Sequence, residues 1–286
     1  MLKPFKLITA HTLDEAISCA KQGYKVLAGG TDVLVMMHKG VSYPLMVDIS
    51  LLDELKGIHF DADGLTIGAM VTHAEIEKNP DIRKHYPALI DGCCKIGSVQ
   101  VRNKGTIGGN ICNASPAADS AGPLLLYDAK VSIAGPEGFR TVRMDEFFTG
   151  VKQNILREGE IVVSIHLPSS QPNEGSAYLK LTKRGAMEIG IVSTGIRFIC
   201  GDDGKCSDAR LSLSAVAPTP IRAGAAEESL RGRAIDAASI LQAAELAYEA
   251  ASPKTWRNSE EWSKDMVRIY VDRAAGAAVK RLKGEC

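Results

Sequence analysis

The stretch TIGGNICNASPAADS, residues 106–120, is the densest in unusual chemistry, and the rest of the chain reads as a mount for it. Paired glycines let the main chain approach another group closely, because no Cβ stands in the way. Asn110, Asn113 and Ser115 add short neutral donors, and Asp119 accepts from a hydroxyl or an N–H. A loop of this kind suits a phosphate or sugar held by backbone amides rather than by a lysine cluster. The same composition also makes a plain turn between strands. From these residues alone both readings stand.

A second Gly-Gly site lies upstream. Tyr24–Ala28 reads as a short buried strand running into Gly29-Gly30-Thr31-Asp32, and Val33–Met37 reads as a helix that stops before Gly40. Glycine access combined with the free N–H groups of a helix start makes an anion site. The motif is neither G-x-G-x-x-G nor a P-loop, since no G-K-[ST] follows. Two such sites in one domain could hold the two ends of a pyrophosphate, which suggests a dinucleotide, but spacing does not distinguish a flavin from another nucleotide.

Around these sites short helices and strands alternate, which predicts an α+β domain. Thr12 and Glu15 form a capping box for a helix over 13–22, and Thr72 with Glu75 starts another reaching about Asn79. Leu45–Ile49 reads as a strand, with Ser50 capping a short helix over Leu51–Lys56. A longer helix is expected over Asp81–Cys94, and an apolar one near Gly122–Tyr127. Hairpins are expected at 58–70 and 129–143, then a strand over Glu160–Leu167. PSSQPNEG, residues 168–175, reads as the linker. Beyond it come three long strands (176–183, 189–200 and 206–217) and helices near 223–231, 236–251 and 259–283, a small antiparallel sheet covered by helices. The last helix carries Trp262, Met266, Ile269, Arg273 and Ala277 at helical spacing, with Asn258 and Glu261 as its cap.

Composition narrows the function. At 286 residues the chain can bury more than one core, and 34 Lys plus Arg balance 34 Asp plus Glu, which argues against nucleic acid as the main partner. No signal-peptide pattern and no run of about 18 apolar residues occurs, which predicts a soluble, cytoplasmic protein without a membrane span. Seven cysteines without C-x-x-C spacing suggest neither a disulfide framework nor a zinc or iron–sulfur site. The six histidines form no H-E-x-x-H, and His38, His73 and His85 read as exposed helix residues. Gly190–Gly195 misses the G-x-S-x-G spacing by one residue.

Ala28–Asp32, Thr106–Asn110 and Ser115–Asp119 together resemble the FAD-binding subunits of molybdenum-containing hydroxylases, and the medium subunit of bacterial xanthine dehydrogenases above all. The resemblance extends over Gln100–Asn103, Tyr127–Ala129, Ala217–Arg222 and Trp256–Ser259. It implies a PCMH-type FAD-binding domain over 1–172, in subdomains of about 1–55 and 56–172, and a C-terminal α+β domain over 173–286. It implies that Lys25, Val26, Leu27, Ala28, Gly29, Gly30, Thr31 and Asp32 wrap the pyrophosphate. Thr106, Ile107, Gly108, Gly109 and Asn110 would contact pyrophosphate and isoalloxazine, and Asp119 the ribityl or ring region; Asn113 and Ser115 belong to the same site. Ile161 and Lys180 resemble two later family contacts by position, and Ile161 reads equally as a core strand residue. The implied role is an electron relay with no catalytic side chain and no metal here. A large subunit carries the molybdopterin cofactor, a small subunit carries two [2Fe–2S] clusters, and FAD passes electrons to NAD⁺ or another acceptor. The substrate class implied is xanthine, another purine or a related N-heterocycle. A free-standing FAD-dependent reductase or oxidase of the same fold, and a non-redox nucleotide-binding module, are the alternatives.

Overall fold

Three units, each a sheet with its own helices, follow one another along the chain, the second also carrying a two-stranded ribbon; the computed structural model describes residues 2–254 and 258–285. The first comprises β1 (Lys6–Thr9), α1 (Leu13–Lys21), β2 (Lys25–Leu27), α2 (Val33–His38) and β3 (Leu45–Asp48). Its strands are parallel in the order β1-β3-β2, with Val47 between Ile8 and Val26. Thr12 caps α1 by accepting from the Glu15 N–H. Residues 6–9 carry no strand signal in the sequence, because half of β1 is exposed and its pattern is not apolar. Ser50 caps nothing. Its N–H donates to Asp48 Oδ1 at 2.8 Å, and the helix expected over 51–56 shrinks to one 3₁₀ turn at Asp53–Leu55.

The second unit contains β4 (Ile58–Asp61), β5 (Gly64–Gly68), α3 (His73–Lys78), α4 (Pro80–His85), α5 (Pro87–Cys93), α6 (Val99–Arg102), α7 (Ile107–Cys112) and α8 (Ala121–Leu126). It continues through β6 (Lys130–Gly135), β7 (Gly138–Arg143), α9 (Met144–Phe147), β8 (Phe148–Gly150), β9 (Gln153–Asn154) and β10 (Ile161–Pro168). Two hairpins flank β10 in an antiparallel sheet, β4-β5-β10-β6-β7. The helix expected over 81–94 is two helices: Pro87 has no N–H to continue α4, and Tyr86 takes φ −134° and ψ 55° between them. The stretch expected as the main loop, 106–120, instead opens with α7. Leu65, Ile67, Leu89, Ile107, Leu124 and Ile165 centre its core.

The third unit is the antiparallel sheet β11 (Glu174–Leu181), β12 (Val192–Cys200), β13 (Cys206–Ser214) and β14 (Ile221–Arg222) under α10 (Gly224–Leu230), α11 (Ala237–Ala250) and α12 (Glu260–Leu282). The predicted α+β class holds throughout. The link from β10 is only residues 169–173, shorter than expected. Ser259, not Asn258, caps α12, and its buried face is Val267, Val271, Ala274 and Ala278, turned one position from the expected stripe, which leaves Trp262 and Ile269 exposed. Trp256 and Arg257 of the quoted motif lie outside the described residues. Arg281 of α12 grips both carboxylate oxygens of Asp91 in α5 at 2.6 and 2.9 Å, and Asp91 also accepts from the Tyr178 N–H of β11. This clamp presses the third unit onto the second.

Candidate cofactor-binding site

The two Gly-Gly segments meet on one wall of a cavity of about 680 Å³, within the range of small-molecule cofactor sites. β2 delivers the chain to Gly29, whose Cα lies so close to the crossing Lys104–Gly105 backbone that a Cβ would stand 1.7 Å from the Lys104 carbonyl oxygen. Gly30 then takes φ +72°, in the left-handed region that glycine adopts without strain. The N–H groups of Gly29, Gly30, Thr31 and Asp32 donate to no acceptor among the described residues. Four consecutive free donors lining a cavity form an anion cradle.

The Thr106 segment is built differently. Thr106 is buried and its Oγ1 caps α7 by accepting from the Gly109 N–H at 3.1 Å. The Ile107 N–H donates to Val71 O, the Gly108 N–H to Ala69 O and the Asn110 N–H to Thr106 O. The amides of Ile107, Gly108, Gly109 and Asn110 are therefore committed within the fold. Its glycines serve close approach instead. A Cβ on Gly108 would meet Ala69 at 2.7 Å, while Gly109 turns toward Ala28 across the junction, 3.9 Å from where its Cβ would be. Asn110 Oδ1 accepts from Ser120 Oγ at 2.7 Å, and Asn113 closes α7.

The far part of the cavity is a buried ion pair. Lys180 of β11 donates to Asp119 Oδ2 at 2.6 Å and to the Lys95 carbonyl at 3.1 Å, and both side chains are under a tenth exposed. Burial pushes the Asp119 carboxyl up to about 6, against the pull of the Lys180 ammonium. Asp119 Oδ1 has no partner.

Lys25, Val26, Ala28–Asp32, Thr106, Gly108–Asn110, Asn113, Ser115, Asp119, Ile161 and Lys180 all line this one cavity. Leu27 and Ile107 do not: Leu27 lies in the β2–β3 pairing, and the Ile107 side chain enters the second core while its N–H is already used. Ile161 is a core strand residue that also lines the cavity.

The sequence reading misses several titratable residues of this cavity, His73 and Lys152 among them. His73, expected to be exposed, is 1% exposed, and burial, with the Arg102 charge, lowers its imidazole to about 4; neither ring nitrogen has a partner. Only its place after the Thr72 cap hints at burial, because the helix start is tied down by the bond from the His73 N–H to Gly105 O. Lys152, at φ +60° in the turn between β8 and β9, reaches the cavity from a segment without a motif, and burial lowers its ammonium despite the nearby Asp32.

Residues 3–170 match the family of FAD-binding domains in molybdopterin dehydrogenases, and residues 177–278 match the C-terminal domain of carbon monoxide dehydrogenase flavoproteins. The chain belongs to this FAD-binding family. It is 37% identical over 284 residues to the xanthine dehydrogenase FAD-binding subunit of Escherichia coli O157:H7, covering 96% of each chain. It is 32% identical to the carbon monoxide dehydrogenase medium chain of Hydrogenophaga pseudoflava, covering 98% of this chain and 99% of that one. The solved carbon monoxide dehydrogenase of that organism, in a form lacking the Mo-pyranopterin moiety, superposes with a TM-score of 0.94 at 31% identity, covering 98% of this chain and 99% of that one. Quinoline 2-oxidoreductase of Pseudomonas putida 86 gives 0.90 at 26% identity, covering 100% and 99%. As a member of the family the chain is an FAD-binding oxidoreductase subunit of the molybdenum hydroxylase type. No helix among the described residues is long and apolar enough to cross a membrane.

Proposed function

We propose that this chain is the cytoplasmic electron-relay subunit of a heteromeric molybdenum hydroxylase acting on a purine or related N-heterocycle. It would act beside a large molybdopterin subunit and a small subunit with two [2Fe–2S] clusters, and deliver electrons to NAD⁺ or another acceptor. The four acceptor-free N–H groups of Gly29–Asp32 carry this reading, because they fit the pyrophosphate of FAD. FAD, when bound, supplies the redox chemistry. The chain binds and orients it. The Gly29–Asp32 amides would hold the pyrophosphate, the α7 surface at Gly109 would let the cofactor lie close, and Asp119 with Lys180 would face the ribityl or ring region. Residues 1–172 would form the FAD unit and 173–286 the C-terminal unit.

The same likeness to a xanthine dehydrogenase subunit supports the purine assignment. The test is purification of the tagged chain from its own cells, with flavin, molybdenum and iron measured in what co-purifies. Molybdopterin and iron–sulfur partners, with purine-dependent reduction of the flavin, are the expected outcome. Turnover of a reduced organic substrate by the FAD-loaded chain alone would overturn the relay.

A further inference from the structure

Behind the Asp119–Lys180 pair the face of the third sheet is lined with hydroxyls. Pairing across β11, β12 and β13 places Lys180, Ser193 and Ser214 in one rung and Tyr178, Gly195 and Ser212 in the next. Residues paired directly across strands share a face. This face packs on α8. A Cβ on Gly122 would fall 2.5 Å from the Tyr178 ring and 3.2 Å from Ser214 Oγ, and one on Gly195 would fall 2.8 Å from Leu126. Tyr178, Ser193, Ser212 and Ser214 are buried, and none of their hydroxyl oxygens has a hydrogen-bond partner, nor does Asp119 Oδ1. The Tyr178 hydroxyl faces Asp119, Ser193 and Ser214 and lowers the proton affinity of the carboxyl, but no pair closes into a hydrogen bond.

Buried polar atoms are almost always satisfied, and a group of five that is not marks a place where protons can be rearranged. A carboxyl is the one member that can change its proton count near neutrality. Its surroundings are few: Lys180 and Tyr178 from β11, and the Cys93 thiol from α5. Lys180 is the only ion-pair partner of Asp119 among the described residues.

We infer that Asp119 takes up a proton when the bound flavin is reduced, with Tyr178 and the serine rung as the buried hydroxyls that accommodate it; this rests on the FAD reading above. Reduction by two electrons from the iron–sulfur clusters, with one proton taken up at the ring, would add one negative charge beside Lys180. The Lys180 ammonium then faces two anions and cannot neutralise both. The Asp119 carboxylate binds a second proton from solvent, forming an O–H bond at Oδ1 that can donate to the Tyr178 oxygen, and Lys180 is left to balance the ring. Two electrons are thus matched by two protons, and the site gains no net charge. Tyr178 acts through Asp119 and is a positioning residue.

The test is the midpoint potential of the FAD-loaded full chain as a function of pH, from 5.5 to 8.5. Above pH 7 the wild type is expected to show the slope of two protons per two electrons, and Asp119→Asn half that slope. Equal slopes in the two proteins would overturn the inference. Should Asp119→Asn fail to retain flavin, Tyr178→Phe decides, because it keeps the ion pair and removes the oxygen that would accept from protonated Asp119. The upper bend of its two-proton region is expected to move to lower pH, and a bend left in place or moved up would overturn the inference. Wild-type chain that binds no FAD would instead sink the FAD reading. A wild type that binds FAD but shows the one-proton slope sinks only this inference.

Discussion

Gly109 and Asp119 lie in the same cavity wall but should fail in different ways. A side chain at Gly109 enters the space facing Ala28 and begins 2.9 Å from the Thr106 oxygen that caps α7. Gly109→Val is therefore expected to abolish flavin retention, read as the ratio of visible to ultraviolet absorbance, and unchanged absorbance would move the cofactor off this wall. Asp119→Ala should reduce retention less, since the pyrophosphate cradle stays intact. His73 gives a separate signature. Its folded-state value near 4 lies below the usual 6.5, so its contribution to stability is full above pH 6.5 and is lost as pH falls through 4. Asp119 works in the opposite sense: raised to about 6, it adds stability below its ordinary range and loses it as pH climbs through 6. Urea unfolding of His73→Phe should show a stability curve flatter than wild type between pH 4 and 6.5, by up to about 3 kcal/mol at the acid end. A parallel curve would mean that the imidazole is solvated. The glycine motifs were legible because a missing Cβ has few other uses. His73 and Lys152 were not, because their burial is decided by segments that cross from elsewhere in the chain.

At the scale of elements, local signals were read well where they were local. The capping box at Thr72 and both hairpins stand as the sequence implies, while at Thr12 only half of the box forms, because the Glu15 carboxylate accepts from the His11 N–H instead. The failures are of another kind. A proline inside an apolar run split one expected helix into α4 and α5, and α7 was hidden because two glycines argue against a helix that only its buried Thr106 cap and the Val71 and Ala69 carbonyls sustain. The facing of α12 depends on the clamp at its end, where Arg281 meets Asp91. Asp91→Ala removes the acceptor for both Arg281 and the Tyr178 N–H, and should cost about 2 kcal/mol in denaturant unfolding. It should also lower flavin retention slightly, by loosening β11 and with it Lys180. A loss of stability no larger than that of an exposed substitution would show that the third unit is held by its apolar contacts alone.

For the whole molecule, the order of segments pointed to the class of fold, the charge balance only to the kind of partner, and the division of labour came from resemblance. The sequence carries no sign of the cavity as an object, since its walls come from all three units and only two of them bear glycine motifs. The cradle at Gly29–Asp32 has one more consequence. Four donors that find no acceptor among the described residues face the cavity, where an anionic guest would replace the water that hydrates them in the empty fold. The melting temperature of the protein is then not a property of its sequence alone. Ligand linkage adds roughly 4 kcal/mol at a free cofactor level a thousand times Kd, so chain made in riboflavin-starved cells should melt several degrees lower and recover on adding FAD. Vitamin supply would set how much of this subunit survives to be assembled.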